Sequence, residues 1–219
     1  FAAIFNFLAY FVVGTAVAST IAKTVDSKFA GTAVVFAALF AAVAWNYITW
    51  HLGMPSSSSH AIIGGLVGAG LAAGGFAAIS WDSVSKAAIG IVASPAVAIA
   101  IAFVAFYLIL GIQRLLKWHD NHPVFKGLQL LSSAALSFGH GANDAQKSMG
   151  ILTLVLLLGG FIPSFEVPFW VMLACASAIT LGILSGGWRI VRTLGFAIYR
   201  VRPIHALGSQ LTSAGVIMA

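Results

Sequence analysis

The chain has 219 residues, of which 60% are hydrophobic and 7% charged, and its formal net charge is +6. A soluble domain carries about a quarter charged residues, so this composition excludes the water-soluble classes. With a mean hydropathy of +1.02, it describes an all-α polytopic membrane protein, in which each helix satisfies its own backbone polar groups.

A helix needs roughly 20 apolar residues to cross the hydrocarbon. Such segments lie at about 1–22, 30–50, 57–79, 87–113, 128–161 and 169–187, with a seventh beginning near 204. The positive excess is read as loop bias across a bilayer rather than as a nucleic-acid surface. The single cysteine, Cys175, lies in an apolar segment and implies neither a disulfide nor a metal site. Trp45, Trp50 and His51 read as interfacial, Asp82 and Lys86 as an exposed loop, and Pro95 as a kink. His119, Asp120 and His122 have a spacing that suits a metal, but they sit in a solvated loop.

The basic residues form two clusters. Arg114, Lys117 and Lys126 lie in 113–127, and Arg189, Arg192, Arg200 and Arg202 lie in 188–203. Two crossings separate them, so both fall on one side, which is cytoplasmic by the positive-inside rule. The loop IPSFEVP is then outside.

The stretch IAKTV at 21–25 resembles IVRTL at 190–194, at an offset of 169 residues. Segment 1–22 is the first crossing and 169–187 the sixth, so the two run in opposite directions. That parity fits an inverted repeat of the kind secondary transporters use. The expected organisation is an N-terminal repeat over 1–113, a basic cytoplasmic loop over 114–127 and a C-terminal repeat over 128–219. Both ends of the chain read as cut. At the same offset, a second serine run is expected near 223–229 and a second Asn-Asp motif before Phe1.

Two polar motifs interrupt the apolar sequence. The first is MPSSSSHAIIGGLVGAG, from Met54. Pro55 ends the preceding element, and Ser56–Ser59 open a glycine-rich helix. A serine N-cap accepts from free backbone N–H groups. Those N–H groups and the helix dipole favour an anion, and serine hydroxyls can donate to its oxygens. The same serines also suit a purely structural cap. The small residues Gly64, Gly65, Gly68 and Ala69 have the spacing of close helix packing.

The second motif is GHGANDAQKSMG, 139–150. Gly139 and Gly141 are expected to break the helix in mid-membrane, where Asn143 and Asp144 add hard oxygen ligands for Na⁺ or a proton. A carboxylate at this depth costs about 3 kcal/mol on insertion scales and is functional by default. Lys147 lies three residues from Asp144, a spacing that also permits a structural ion pair. His140 suits either a proton relay or a bond to a neighbouring helix.

At these two motifs the chain resembles the inorganic phosphate transporter family of the PiT type. The matching residues are Gly141, Ala142, Asn143 and Asp144 in one motif, and Pro55, Ser57, Ser58, Ser59 and His60 in the other. The flanks IFNFLAYFVVGTAVASTIAKT and GGWRIVRTLG have the same look. The resemblance implies an inverted-repeat secondary transporter with broken or re-entrant helices. Such a protein carries phosphate with H⁺ or Na⁺ by alternating access, lies in the cell membrane as a multi-pass protein, and needs no cofactor or enzymatic chemistry. It also implies phosphate binding by Ser57, Ser58, Ser59 and Asn143, and a coupling-ion site at Asp144 and Asn143. No metal beyond Na⁺ at Asp144 is implied, and a homodimer is the one protein partner considered.

Two departures stand out. Ser58 and Ser59 occupy positions where threonine is usual, which keeps the hydroxyls. Gln146 and Lys147 replace the usual neutral run after the Asn-Asp pair, so a fixed ammonium stands where an amide is expected. This favours proton coupling, with Lys147 standing in for a sodium ion and Gln146 and His140 in supporting charge or proton roles. The alternatives are a sulfate permease of the same fold, an anion channel, and an intramembrane serine hydrolase using a serine of 56–59 with His60 or His140. The last lacks a nucleophile elbow.

Overall fold

The computed structural model describes residues 1–10, 23–26, 28–117, 119, 122–199 and 201–218. The helices are α1 (Ala2–Ala9), α2 (Thr32–His51), α3 (Ser58–Gly74), α4 (Trp81–Leu115), α5 (Pro123–Leu158), α6 (Phe169–Ser185), α7 (Trp188–Arg192) and α8 (Pro203–Met218). A 3₁₀ turn, Gly75–Ala78, follows α3, and a π turn, Thr193–Ile198, follows α7. Among the described residues there is no β-strand, only one isolated antiparallel bridge between Val25 and Ile79.

Each apolar segment of the sequence contains or becomes a helix. Most of the first, 11–22, lies outside the described residues. So do Asp120 of the proposed metal spacing and Arg200 of the second basic cluster. Helices α2 and α4, and α3 together with its 3₁₀ turn (Ser58–Ala78), are long and apolar enough to span a bilayer, and α6 with the helical stretch Trp188–Ile198 passes the same test only as a pair bent by 55°. Large apolar side chains point outward along these helices, among them Phe36, Phe40, Val92 and Ile99, as lipid-facing surfaces do. α4 buries none of its residues within this chain.

One expectation is corrected here. Asp82 and Lys86 belong to the first turns of α4, not to a loop. Their spacing of four residues closes an exposed ion pair of 2.7 Å that supports the helix end. Pro95 lies inside α4 without ending it. At 35 residues, or about 52 Å at the α-helical rise, α4 extends past the hydrocarbon.

The packing has two centres. Helices α2 and α3 pack together over Val35, Ala38 and Leu66, joined by Val25, Ala30 and by Ile151 of α5. Gly65 permits this approach, because a Cβ there would lie 2.5 Å from the Ala38 carbonyl oxygen. Gly64 and Gly68, read as packing glycines, meet nothing within 4 Å and border an open groove with Trp45 and His60. The second centre joins Tyr10, Met149 of α5, and Val171, Cys175 and Ala176 of α6.

Candidate functional site

Helix α5 carries the second polar motif, and it is continuous through 139–150. The expected helix break is therefore overturned. Gly141 serves a different purpose. A Cβ there would sit 2.5 Å from the backbone oxygen of Asn6, so the missing side chain is what lets α1 cross α5 at van der Waals distance. Asn143, expected to offer its oxygen beside a broken helix, donates from Nδ2 to the Gly139 carbonyl one turn back, at 3.1 Å.

The unbroken helix aligns His140, Asp144 and Lys147 on one face, since residues three and four apart are neighbours. Asp144 Oδ1 accepts from Lys147 Nζ at 2.5 Å, and its Oδ2 lies 3.2 Å from His140 Nε2. The second ring nitrogen, Nδ1, lies 3.0 Å from Asn6 Oδ1. Asn6 Nδ2 donates to the Ala2 carbonyl at 2.9 Å, which fixes the amide with its oxygen toward the ring. Four side chains thus form one line, Asn6–His140–Asp144–Lys147. Asn6 is 2% exposed and Lys147 9%, while the imidazole of His140 remains half exposed. Both ring nitrogens face acceptor oxygens. A neutral imidazole has one N–H and an imidazolium two, so only the protonated ring can donate to both. Gln146 is buried beside this line.

Helix α3 begins where the serines predicted it. Ser57 is the N-cap, and its Oγ accepts from the His60 N–H at 3.4 Å. Ser56 Oγ accepts from Trp45 Nε1 at 3.0 Å. The hydroxyls of Ser58 and Ser59 have no partner among the described residues. They stand half-buried on the first turn, at the positive end of the helix dipole.

No hydrogen bond or ion pair joins this serine run to Asn143 or Asp144 among the described residues. A cavity relates them instead. Ile62, one turn past Ser58, and Ser148, one turn past Asp144, both line a space of about 230 Å³ together with Leu39, Leu152 and Cys175. Ser58 and Asp144 are therefore each about 6 Å along their own helix from a wall of the same cavity.

Asn6 is the member of this site that motif reasoning passed over. Its signal was a lone amide in the apolar run FAAIFNFLAYF. Tyr10, a turn further, buries its hydroxyl without a partner among the described residues, as do Thr153 and Thr180.

Comparison with known proteins places the chain in a family. The chain matches the phosphate transporter family over residues 1–219. It is 44% identical to a probable low-affinity inorganic phosphate transporter of Rhizobium meliloti, over all of this chain and 66% of that protein. It is 40% identical to one of Bacillus subtilis, over 99% of this chain and 66% of that protein. A Mycobacterium leprae protein of the same description is 40% identical, with 53% of its length covered. The chain therefore spans between half and two thirds of these relatives. Among solved structures, one described as the sodium-dependent phosphate transporter superposes with a TM-score of 0.84 at 23% identity, over 99% of this chain and 73% of that one. That likeness establishes a shared all-α membrane fold.

Proposed function

The chain belongs to the phosphate transporter family, and on that premise we propose that it moves inorganic phosphate across the cell membrane together with a proton. It is a multi-pass membrane protein of a transporter family and not an enzyme. The observation that carries the coupling is the line Asn6–His140–Asp144–Lys147. Both oxygens of Asp144 are engaged by nitrogen groups, so its charge is met by Lys147 and His140 without a bound metal cation. Lys147 supplies the fixed positive charge, and His140, with one ring nitrogen at Asp144 and the other at Asn6, is the group placed to take up and release the proton.

Phosphate binds at the first turn of α3, on Ser57, Ser58 and Ser59, with Asn143 completing the site as the two halves close. Helix N-terminal N–H groups and hydroxyl donors suit a tetrahedral oxyanion. Bringing a multiply charged anion into the membrane is costly, and a proton carried beside it lowers that cost. The two repeats, 1–113 and 128–219, rock about the filled site, with 114–127 as the cytoplasmic loop between them.

Neither the sulfate permease nor the serine hydrolase is favoured. The relatives are described as phosphate transporters, not sulfate permeases. Ser59 and His60 are sequence neighbours, and the His60 contact to Ser57 is through its backbone N–H rather than its ring, so among the described residues this run forms no serine–imidazole pair. The test is uptake of labelled phosphate by the full-length carrier in proteoliposomes with sodium replaced by choline. Uptake should persist, and excess sulfate should not compete. Loss of uptake in choline contradicts proton coupling, and full competition by sulfate contradicts phosphate selectivity.

A further inference from the structure

Residues outside the polar line hold the approach to the serine run. Arg189 of α7 donates from Nη1 to the carbonyl oxygen of His51 at 2.8 Å and lies 3.3 Å from His51 Nδ1. Its guanidinium carbon is 5.3 Å from the centre of the Trp50 ring. His51 is the last residue of α2, so its carbonyl is one of those that lack an intrahelical donor. A cation is favoured at that end of the dipole and over an indole face.

The next residues are held as well. Gly53 turns with φ +70°, and a Cβ there would lie 3.3 Å from Thr193 Oγ1, which itself donates to the Arg189 carbonyl at 3.0 Å. Residues 50–53 are thus grasped by 189–193, and Ser57 follows four residues later.

The grasping element is hinged. α7 leaves α6 through Gly186 and Gly187, with Gly186 at φ +92° and the two axes 55° apart. Beyond α7 the chain runs in a π turn rather than in continuous α-helix, an arrangement frequent at functional sites. The contacts are exposed and therefore easily exchanged for water. They also join the two proposed repeats, since α2 and α3 lie in 1–113 and α7 in 128–219. Rocking of one repeat against the other must break them.

We propose that Arg189, with Trp50, His51 and the Gly53–Thr193 contact, forms the cytoplasmic gate, closed in this structure, and that Arg189 must release the end of α2 before phosphate leaves for the cytoplasm. This rests on the transport reading above and on the basic face being cytoplasmic.

Two measurements on the full-length carrier test it. In a Cys175→Ser background, Gly53→Cys with Thr193→Cys should form a disulfide under mild oxidation. Phosphate uptake should then fall by roughly tenfold or more and return on reduction, while each single cysteine variant is insensitive to the oxidant. Undiminished uptake with the disulfide formed overturns the gate; where strain at the left-handed Gly53 turn prevents the disulfide, the labelling comparison below decides.

The second measurement needs no new cysteine. Cys175 lines the cavity walled by Ile62 of α3 and Ser148 of α5 and is buried. A membrane-impermeant thiol reagent added from the cytoplasmic side, read at the Cys175 peptide by mass spectrometry, should modify Arg189→Gln roughly fivefold faster or more than the parent. Arg189→Lys, which keeps a cationic donor, should return toward the parent rate. Equal rates in the parent and Arg189→Gln overturn the gate. If the parent carrier takes up no phosphate, the transport reading fails, and the labelling comparison still decides whether Arg189 closes this face.

Discussion

Asp144 shows why this carboxylate can remain in an apolar helix. One oxygen is held by the Lys147 ammonium and the other by the His140 imidazole, so the charge is compensated on both sides. Removing one partner of a buried pair leaves the other uncompensated, typically at about 3 kcal/mol or more. Asp144→Asn keeps the shape but leaves the buried Lys147 ammonium without its carboxylate, so the carrier should lose stability along with concentrative uptake. Normal accumulation in that variant would remove Asp144 from coupling. Lys147→Asn restores the neutral amide that the family resemblance leads one to expect, and frees an Asp144 oxygen. Uptake should become sodium-stimulated, and continued indifference to sodium would deny Lys147 the role of a fixed cation. The pairing of Asp144 and Lys147 was legible from their spacing of three residues. Asn6 was not, because its partner His140 lies 134 residues away and no local pattern links an isolated amide to a distant ring.

Helix α5 explains the one substantial misreading. Glycine permits both a helix break and a close approach of two backbones, and Gly139 and Gly141 alone do not say which. The packing of α1 decides it, with the Asn6 backbone lying where a Gly141 side chain would go. Gly141→Ala should accordingly destabilise the carrier by about 1–3 kcal/mol and disturb the His140–Asn6 contact. Gly64→Ala, with nothing within 4 Å, should be close to neutral. Thermal unfolding in detergent, followed by tryptophan fluorescence, separates them, and equal midpoints would deny the close crossing. The start of α3 was legible for the converse reason. Proline followed by serines is local chemistry, and Ser57 caps the helix as its position implies. The polar residues Asp82 and Lys86 misled because α4 continues as a helix beyond its apolar stretch.

At the scale of the molecule, hydropathy was enough to place the helices, because a lipid-facing helix must be apolar along its length. How the two polar motifs relate was not available from the chain. They meet through a cavity walled by Ile62 and Ser148, a relation between helices that only packing creates. The resulting account has phosphate held at a helix N-terminus and a proton held nearby on a charged line, each lowering the membrane cost of the other. Its most direct test is to add phosphate to proteoliposomes of the full-length carrier in sodium-free, weakly buffered medium while recording external pH. The account predicts alkalinisation outside that follows phosphate entry and disappears in Asp144→Asn. Phosphate entry with no proton movement, or entry only when sodium is present, would contradict it.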